Sequence, residues 1–261
     1  MAKCNDKVIF GKKELRGSRL RCLMLSAIPR TQAARCLTEL VQPYGVVDVT
    51  RDQWMPRGFL EAEEAKLGEV SIFLDEDQRK NVTDWWLAVK KGANTPNWDI
   101  ASTCTIEDHP GLVLVEAKAH GAELSGAGKM AGNDKNDRSI RAAILQANEG
   151  LNQLDSGWNL NADTHYQLCN RFAWGWKIAS LGVPVILVYL GFLNAEEMVD
   201  RGEPFHSADE WADLVRGHAG GIVPNCAWNT RLEINGTPMC ALIRAVDLRW
   251  VPSSGEDRSA I

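Results

Sequence analysis

The stretch GLVLVEAKAHG, Gly111–Gly121, decides how this chain is read. Its first half is a continuous apolar run of the kind buried on both faces of a sheet. Glu116, Lys118 and His120 then fall at every second position, on one strand face, with Leu112 and Leu114 behind them. Burying charge there costs on the order of several kcal/mol unless it is paired or bound to a metal. A core strand that ends in an acid and a base is therefore a place to expect chemistry.

Reading upstream, WDIASTCTI (Trp98–Ile106) is rich in β-branched residues and predicts a strand that turns at EDHPG into the first. Such a hairpin brings Asp99 alongside Glu116. Before it, DEDQRKNVTDWWLAVKK begins with acids, ends with lysines and carries Val82, Trp85, Trp86 and Val89 as an apolar stripe, which predicts a helix ending near Lys91. Downstream, GAELSGAGKMAGNDKND reads as a mobile lip, with Asp137 or Ser139 placed to cap the next helix. That helix buries Ile140, Ile144, Ala147, Leu151 and Leu154. DTHYQLCNRFAWGWKIASLG gives a second helix closed at Gly182, and VPVILVYL a continuous apolar strand.

The expected fold is α/β. Strands near 98–105, 111–119 and 184–190 form a mixed central sheet, flanked by helices near 77–91, 138–154 and 164–181. Residues 1–58 form an N-terminal elaboration, with a helix over RTQAARCLTELV and a short strand at YGVVDVT, and 59–193 form the core. Residues 194–261 are expected as a helix, SADEWADLVRGH, and a hairpin turned at Asn235-Gly236, both added to that core.

Composition limits the function classes. The 261 residues carry a net charge of −5, which argues against a uniformly basic nucleic-acid coat. Residues 1–35 nevertheless hold nine Lys/Arg against Asp6 and Glu14, a net +7, so the rest carries −12. Arg16, Arg19 and Arg21 are the phosphate contacts such a segment would offer; a solvated surface segment is the alternative. Seven cysteines at positions 4, 22, 36, 104, 169, 226 and 240 show no CxxC or Cys/His zinc spacing, which predicts free thiols. With no signal-peptide run and no apolar segment long enough to span a bilayer, the expectation is a cytoplasmic protein without a membrane partner. The sequence holds no GxSxG elbow, no GxxxxGK[ST] phosphate loop and no HExxH.

The pairing of PNWD (Pro96–Asp99) with LVLVEAKAH (Leu112–His120) resembles the PD-(D/E)xK nuclease superfamily, which has the restriction-endonuclease-like fold. Trp98 stands where the eponymous proline would be, with Pro96 displaced by two residues. The resemblance is close over Asp99–Lys118 and covers roughly 75–190 by order of elements. It implies a metal-dependent nuclease in which Asp99, Glu116 and the backbone carbonyl of Ala117 hold Mg²⁺, or Mn²⁺ as a substitute. Lys118 would be the catalytic base or water-positioning group. It also implies a nucleic-acid partner, DNA before RNA. Double-strand cleavage would need two such sites, so a homodimer is one expectation. His120, Gln167 and Arg171 are candidate phosphate or substrate contacts. Gln167 loosely fits a Gln-x-x-x-Tyr pair of exonuclease-like members, but Arg171 stands where the tyrosine would be. Asp84, Glu76 and Glu64 are candidates for a further acid. The alternative is a protein of the same fold that binds nucleic acid, or another partner, without cutting.

Overall fold

A computed structural model describes residues 8–10, 13–130 and 132–248. Cys4 and the basic residues Lys3, Lys7 and Lys12 lie outside the described residues. A small ribbon, β1 (Val8–Phe10) with β2 (Lys13–Leu15), leads into α1 (Gly17–Ala27) and α2 (Arg30–Val41). Then follow β3 (Trp54–Met55), β4 (Ala65–Lys66), α3 (Glu76–Trp86), β5 (Asn97–Trp98), β6 (Ile100–Ile106) and β7 (His109–Lys118). The chain continues through α4 (Asp134–Asn152), α5 (Tyr166–Ser180), β8 (Val185–Phe192), α6 (Ala208–Ala219), β9 (Arg231–Ile234) and β10 (Thr237–Val246).

The six-stranded sheet has the order β3-β6-β7-β8-β10-β9. β7 pairs antiparallel with β6 and parallel with β8, so the sheet is mixed and β7 lies inside it. That position explains the unbroken apolar run LVLV, because both faces of an interior strand are covered. Leu112 and Leu114 pack with α3, α4 and α5 on one face, whereas Val113 and Val115 pack with α2 on the other. The side-chain period of two then puts Glu116 and Lys118 on the α4–α5 face. The β6–β7 turn places Glu107 and Asp108 at φ 49° and 65°, as a two-residue hairpin of the primed type requires.

Several expectations are corrected. α3 ends at Trp86, five residues before Lys91, because Asn136 captures the next segment: its side chain accepts from Val89 N–H at 2.7 Å and donates to Val89 C=O at 2.8 Å. Those bonds draw the Val89 backbone out of the helix ladder. α4 starts earlier than 138 and is capped by Asn133, whose side chain accepts from the Lys135 and Asn136 amides, not by Asp137 or Ser139. Leu154, two residues past the end of α4, is 47% exposed. YGVVDVT forms only a single bridge, Val46 with Thr105, and not a strand. The C-terminal hairpin does turn at Asn235-Gly236, but β10 runs parallel to β8 inside the main sheet and so belongs to it.

Residues 126–129 are fixed by backbone bonds where a mobile lip was expected. Lys129 N–H donates to Ala162 C=O at 2.7 Å, and Gly126 and Ala127 carbonyls accept from His165 and Tyr166, each at 3.0 Å. The six cysteines among the described residues are free, and among those residues no helix is long and apolar enough to cross a membrane.

Asn136 is 5% exposed and its side chain alone satisfies the Val89 backbone, so Asn136→Ala strands a buried donor and acceptor. The expected loss is about 2 kcal/mol in urea unfolding. A loss below about 0.5 kcal/mol would show that water replaces those bonds without cost.

Candidate active site

The strand expected over 98–105 is interrupted at Asp99. Trp98 pairs with Ala65 in the small β4–β5 sheet, whereas Ile100 pairs with Val115 in the main one. Asp99 is the hinge between the two sheets, and its carboxylate, rather than its backbone, continues the contact with β7: Ala117 N–H donates to Asp99 Oδ2 at 2.7 Å. The upstream acid thus meets the EAK segment, as the hairpin required.

Glu116 is 2% exposed and is held from both sides. Lys118 Nζ donates to Oε1, and Arg171 Nε, from α5, donates to Oε2 at 2.7 Å. Lys118 also donates to Gln167 Oε1 at 3.1 Å. Arg171 is anchored further by Asn97 C=O at 2.7 Å, Asn170 Oδ1 at 3.0 Å and the face of the Trp98 ring at 4.5 Å. The Gln167–Arg171 stripe, which sequence spacing placed on one helix face, therefore meets the strand end. Arg171 does so as the partner of Glu116 and not as an open phosphate clamp. The tryptophan in the place of the motif's proline is the surface on which that arginine rests.

Asp99, Glu116, Lys118, Gln167 and Arg171 line one cavity of about 650 Å³. Ser125 and, from the fixed segment, Ala127 and Gly128 supply a wall. Gly128 has no substitute there, since a Cβ would lie 2.2 Å from the Asp163 carbonyl oxygen. Of the further acids, Glu64 lines the cavity, brought beside Asp99 by β4–β5 pairing; it accepts from Arg19 at 2.6 Å and Asn97 at 3.0 Å. Asp84, on α3, instead pairs with Lys80 of the same helix and with Lys90 beyond its end, and neither Asp84 nor Glu76 lines the cavity.

Sequence reasoning missed Glu123, which also lines the cavity. A single turn of 3₁₀ helix, Gly121–Glu123, folds it back so that its Oε2 accepts from Ala119 N–H at 2.7 Å. Its signal is a glycine just past a strand end with an acid two residues on. His120, expected to face phosphate, is 6% exposed and lies against Gly202, outside the cavity lining; its Nε2 is 3.6 Å from Glu123 Oε1. The N-terminal arginines are also engaged: Arg16 with Asp200, Arg21 with Glu197 and Arg19 with Glu64. These three arginines are therefore paired with the protein's own acids and are not offered as open cations.

Burial, and then the charge of Glu116, push the Asp99 carboxyl up to about 7, with Lys118 and Arg171 only partly opposing them. Burial also works against ionisation of Glu116, but Arg171 and Lys118 outweigh it and hold that carboxyl below the usual range. The negative field reaches through the sheet to the buried Cys22 thiol, which burial and then Asp99, Glu116, Glu64 and Glu123 raise well above its ordinary value. A second groove, between Leu124 and α6, is lined by Leu214, His218, Glu210 and Asp213. It lacks a convergent set of charges.

The residues fit a hard divalent cation. The cavity lining holds four carboxylates, Glu64, Asp99, Glu116 and Glu123, against two cations, Lys118 and Arg171, and the donors are oxygens. Compared with models of protein families, with curated proteins and with solved structures, the chain matches none of them.

The raised carboxyl of Asp99 makes a pH prediction. Unfolded, Asp99 loses its proton near 3.8, whereas folded it keeps the proton to about 7. The native state binds the extra proton between those values, so this group's contribution is favourable at low pH and is lost as pH rises through that window. Asp99→Asn, which keeps an oxygen for the Ala117 amide, removes that loss. In EDTA its melting temperature should exceed the wild type's by more at pH 8 than at pH 5. An equal difference at both values would contradict the account.

Proposed function

We propose that this chain is a metal-dependent nuclease that hydrolyses phosphodiester bonds, with DNA as the first substrate to test. The observation that carries the reading is the meeting of Asp99, Glu116 and Lys118 at one cavity floor, at the end of an interior strand. The order of elements from α3 to β8, with the PNWD and EAK segments, supports a restriction-endonuclease-like core for that site.

Asp99 and Glu116 would hold Mg²⁺ or Mn²⁺, with the carbonyl of Ala117, the residue after Glu116, as the expected third donor. The ion supplies Lewis-acid polarisation of the phosphoryl oxygen and a more acidic attacking water. Lys118 brings its ammonium to the same carboxylate, placed to orient that water or to offset charge that develops on the phosphate. Gln167 holds Lys118 from the α5 side and so limits its rotamers.

A binder that does not cut is supported less well. With four acids and two cations in the lining, and both cations already paired with Glu116, the cavity repels a bare phosphate chain. A divalent ion offsets that negative charge, so substrate binding at this site should itself depend on metal.

Asp99→Ala and Glu116→Gln should lose metal affinity and cleavage together. Gln is used at 116 because Ala would strand two buried cations. Lys118→Ala should still bind metal, while cleavage falls by about a hundredfold or more, as for loss of a positioned acid–base or charge-stabilising group. The assay is cleavage of single- and double-stranded DNA and RNA with Mg²⁺ or Mn²⁺, beside calorimetric metal titration. Unchanged metal binding in the two carboxylate variants would remove the site assignment, and undiminished cleavage in Lys118→Ala would remove the mechanism.

A further inference from the structure

The hydrogen bonds of the two central carboxylates bear on how many ions the site can hold. Each carboxylate has two oxygens to offer. Asp99 Oδ2 is committed to the Ala117 N–H at 2.7 Å, while its Oδ1 takes no hydrogen bond from the described residues. Glu116 Oε2 is committed to Arg171 Nε at 2.7 Å, and Oε1 takes only Lys118 Nζ.

The two partners of Glu116 differ in how readily they let go. Lys118 is a point charge on a flexible stem and has a second acceptor, Gln167 Oε1, at 3.1 Å, so it can leave Oε1 and keep a hydrogen bond. Arg171 is a planar fork, 6% exposed, whose other arms are fastened to Asn97 C=O and Asn170 Oδ1 while its face lies on Trp98. Withdrawing it from Oε2 would break that whole set and leave a buried guanidinium short of its counter-charge. The asymmetry is one of geometry: one oxygen of Glu116 can be released and the other cannot.

We infer that Arg171 is a positioning residue that keeps Glu116 Oε2 out of the coordination shell, so that the site holds a single divalent ion. Asp99 and Glu116 then each present one oxygen, Oδ1 and Oε1. The inference rests on the nuclease reading and adds its metal stoichiometry. It also separates the two basic residues: Lys118 is free to serve the reaction, and Arg171 is not.

The test is titration of the full, metal-free chain with Mn²⁺, followed by calorimetry and by electron paramagnetic resonance, for wild type, Arg171→Met and Arg171→Lys. Wild type should bind one Mn²⁺ per chain, with the spectrum of an isolated ion. Arg171→Met frees Oε2 and leaves the lining one positive charge poorer, so it should admit a second ion, with stoichiometry near two and a spin-coupled signal. Arg171→Lys keeps the buried charge if Arg171→Met fails to fold; it lacks the fork and should also admit a second ion. A purely structural role for Arg171 would lower stability without changing the stoichiometry. Two Mn²⁺ per wild-type chain, with metal-dependent cleavage intact, would overturn the inference and leave the nuclease reading standing. Stoichiometry fixed at one in a folded variant would also overturn it. No Mn²⁺ in wild type would remove the nuclease reading, and the inference with it.

Discussion

The structure is organised around one buried carboxylate, Glu116, held between Lys118 and Arg171 at the end of the central strand. A carboxylate taken out of water with one partner removed destabilises a fold by about 3–5 kcal/mol. Here the charge is matched from two directions, by a residue of its own strand and by one from α5. The network ties the sheet to the helical layer at the rim of the cavity. Apolar residues at these positions would join the layers at least as well, so stability alone gives no reason for charge here. The proposed reading accounts for it: Asp99, beside the charge of Glu116, is left with excess negative potential that a cation would offset.

The surrounding fold serves that arrangement. Because β7 is interior, its end is flanked by β6 and β8, and α5 reaches it through Gln167 and Arg171. The break at Asp99, where the chain leaves the main sheet to pair with β4, turns a carboxylate toward the Ala117 amide and brings Glu64 to the same wall. The fixed 126–129 segment closes the opposite side through backbone bonds to 162–166. Both walls use backbone pairing, which holds a site more firmly than loop side chains do.

Much of this was legible in the sequence because it depends on period. Alternation along 111–118, helical spacing in α4 and α5, and the turn residues at 107–108 and 235–236 each act locally, and each appears close to its expected place. The trio itself followed from alternation together with the hairpin. Most of the misses share a different cause, a long-range partner. Asn136 ends α3 from 47 residues away, and β10 enters the sheet because β8 offers it a free edge. Glu123 reaches the cavity because a tight turn reverses the chain after Gly121. Arg171 was placed correctly on its helix face, but its spacing could not show that Glu116 would claim it. At the N-terminus, where a phosphate-facing segment and a solvated surface were both open, a net count of basic residues does not reveal that Arg16, Arg19 and Arg21 face the chain's own acids.

On the reading proposed above, this buried network is a cation site at rest, with Lys118 and Arg171 both on Glu116. The most direct measurement is a crystal structure of the chain soaked in Mn²⁺ with anomalous data. The account predicts one anomalous peak between the Asp99 and Glu116 carboxylates, with Lys118 moved toward Gln167 and Arg171 still on Glu116. A crystal in which the cavity gains no peak, and Lys118 and Arg171 both remain on Glu116 at saturating Mn²⁺, would contradict it.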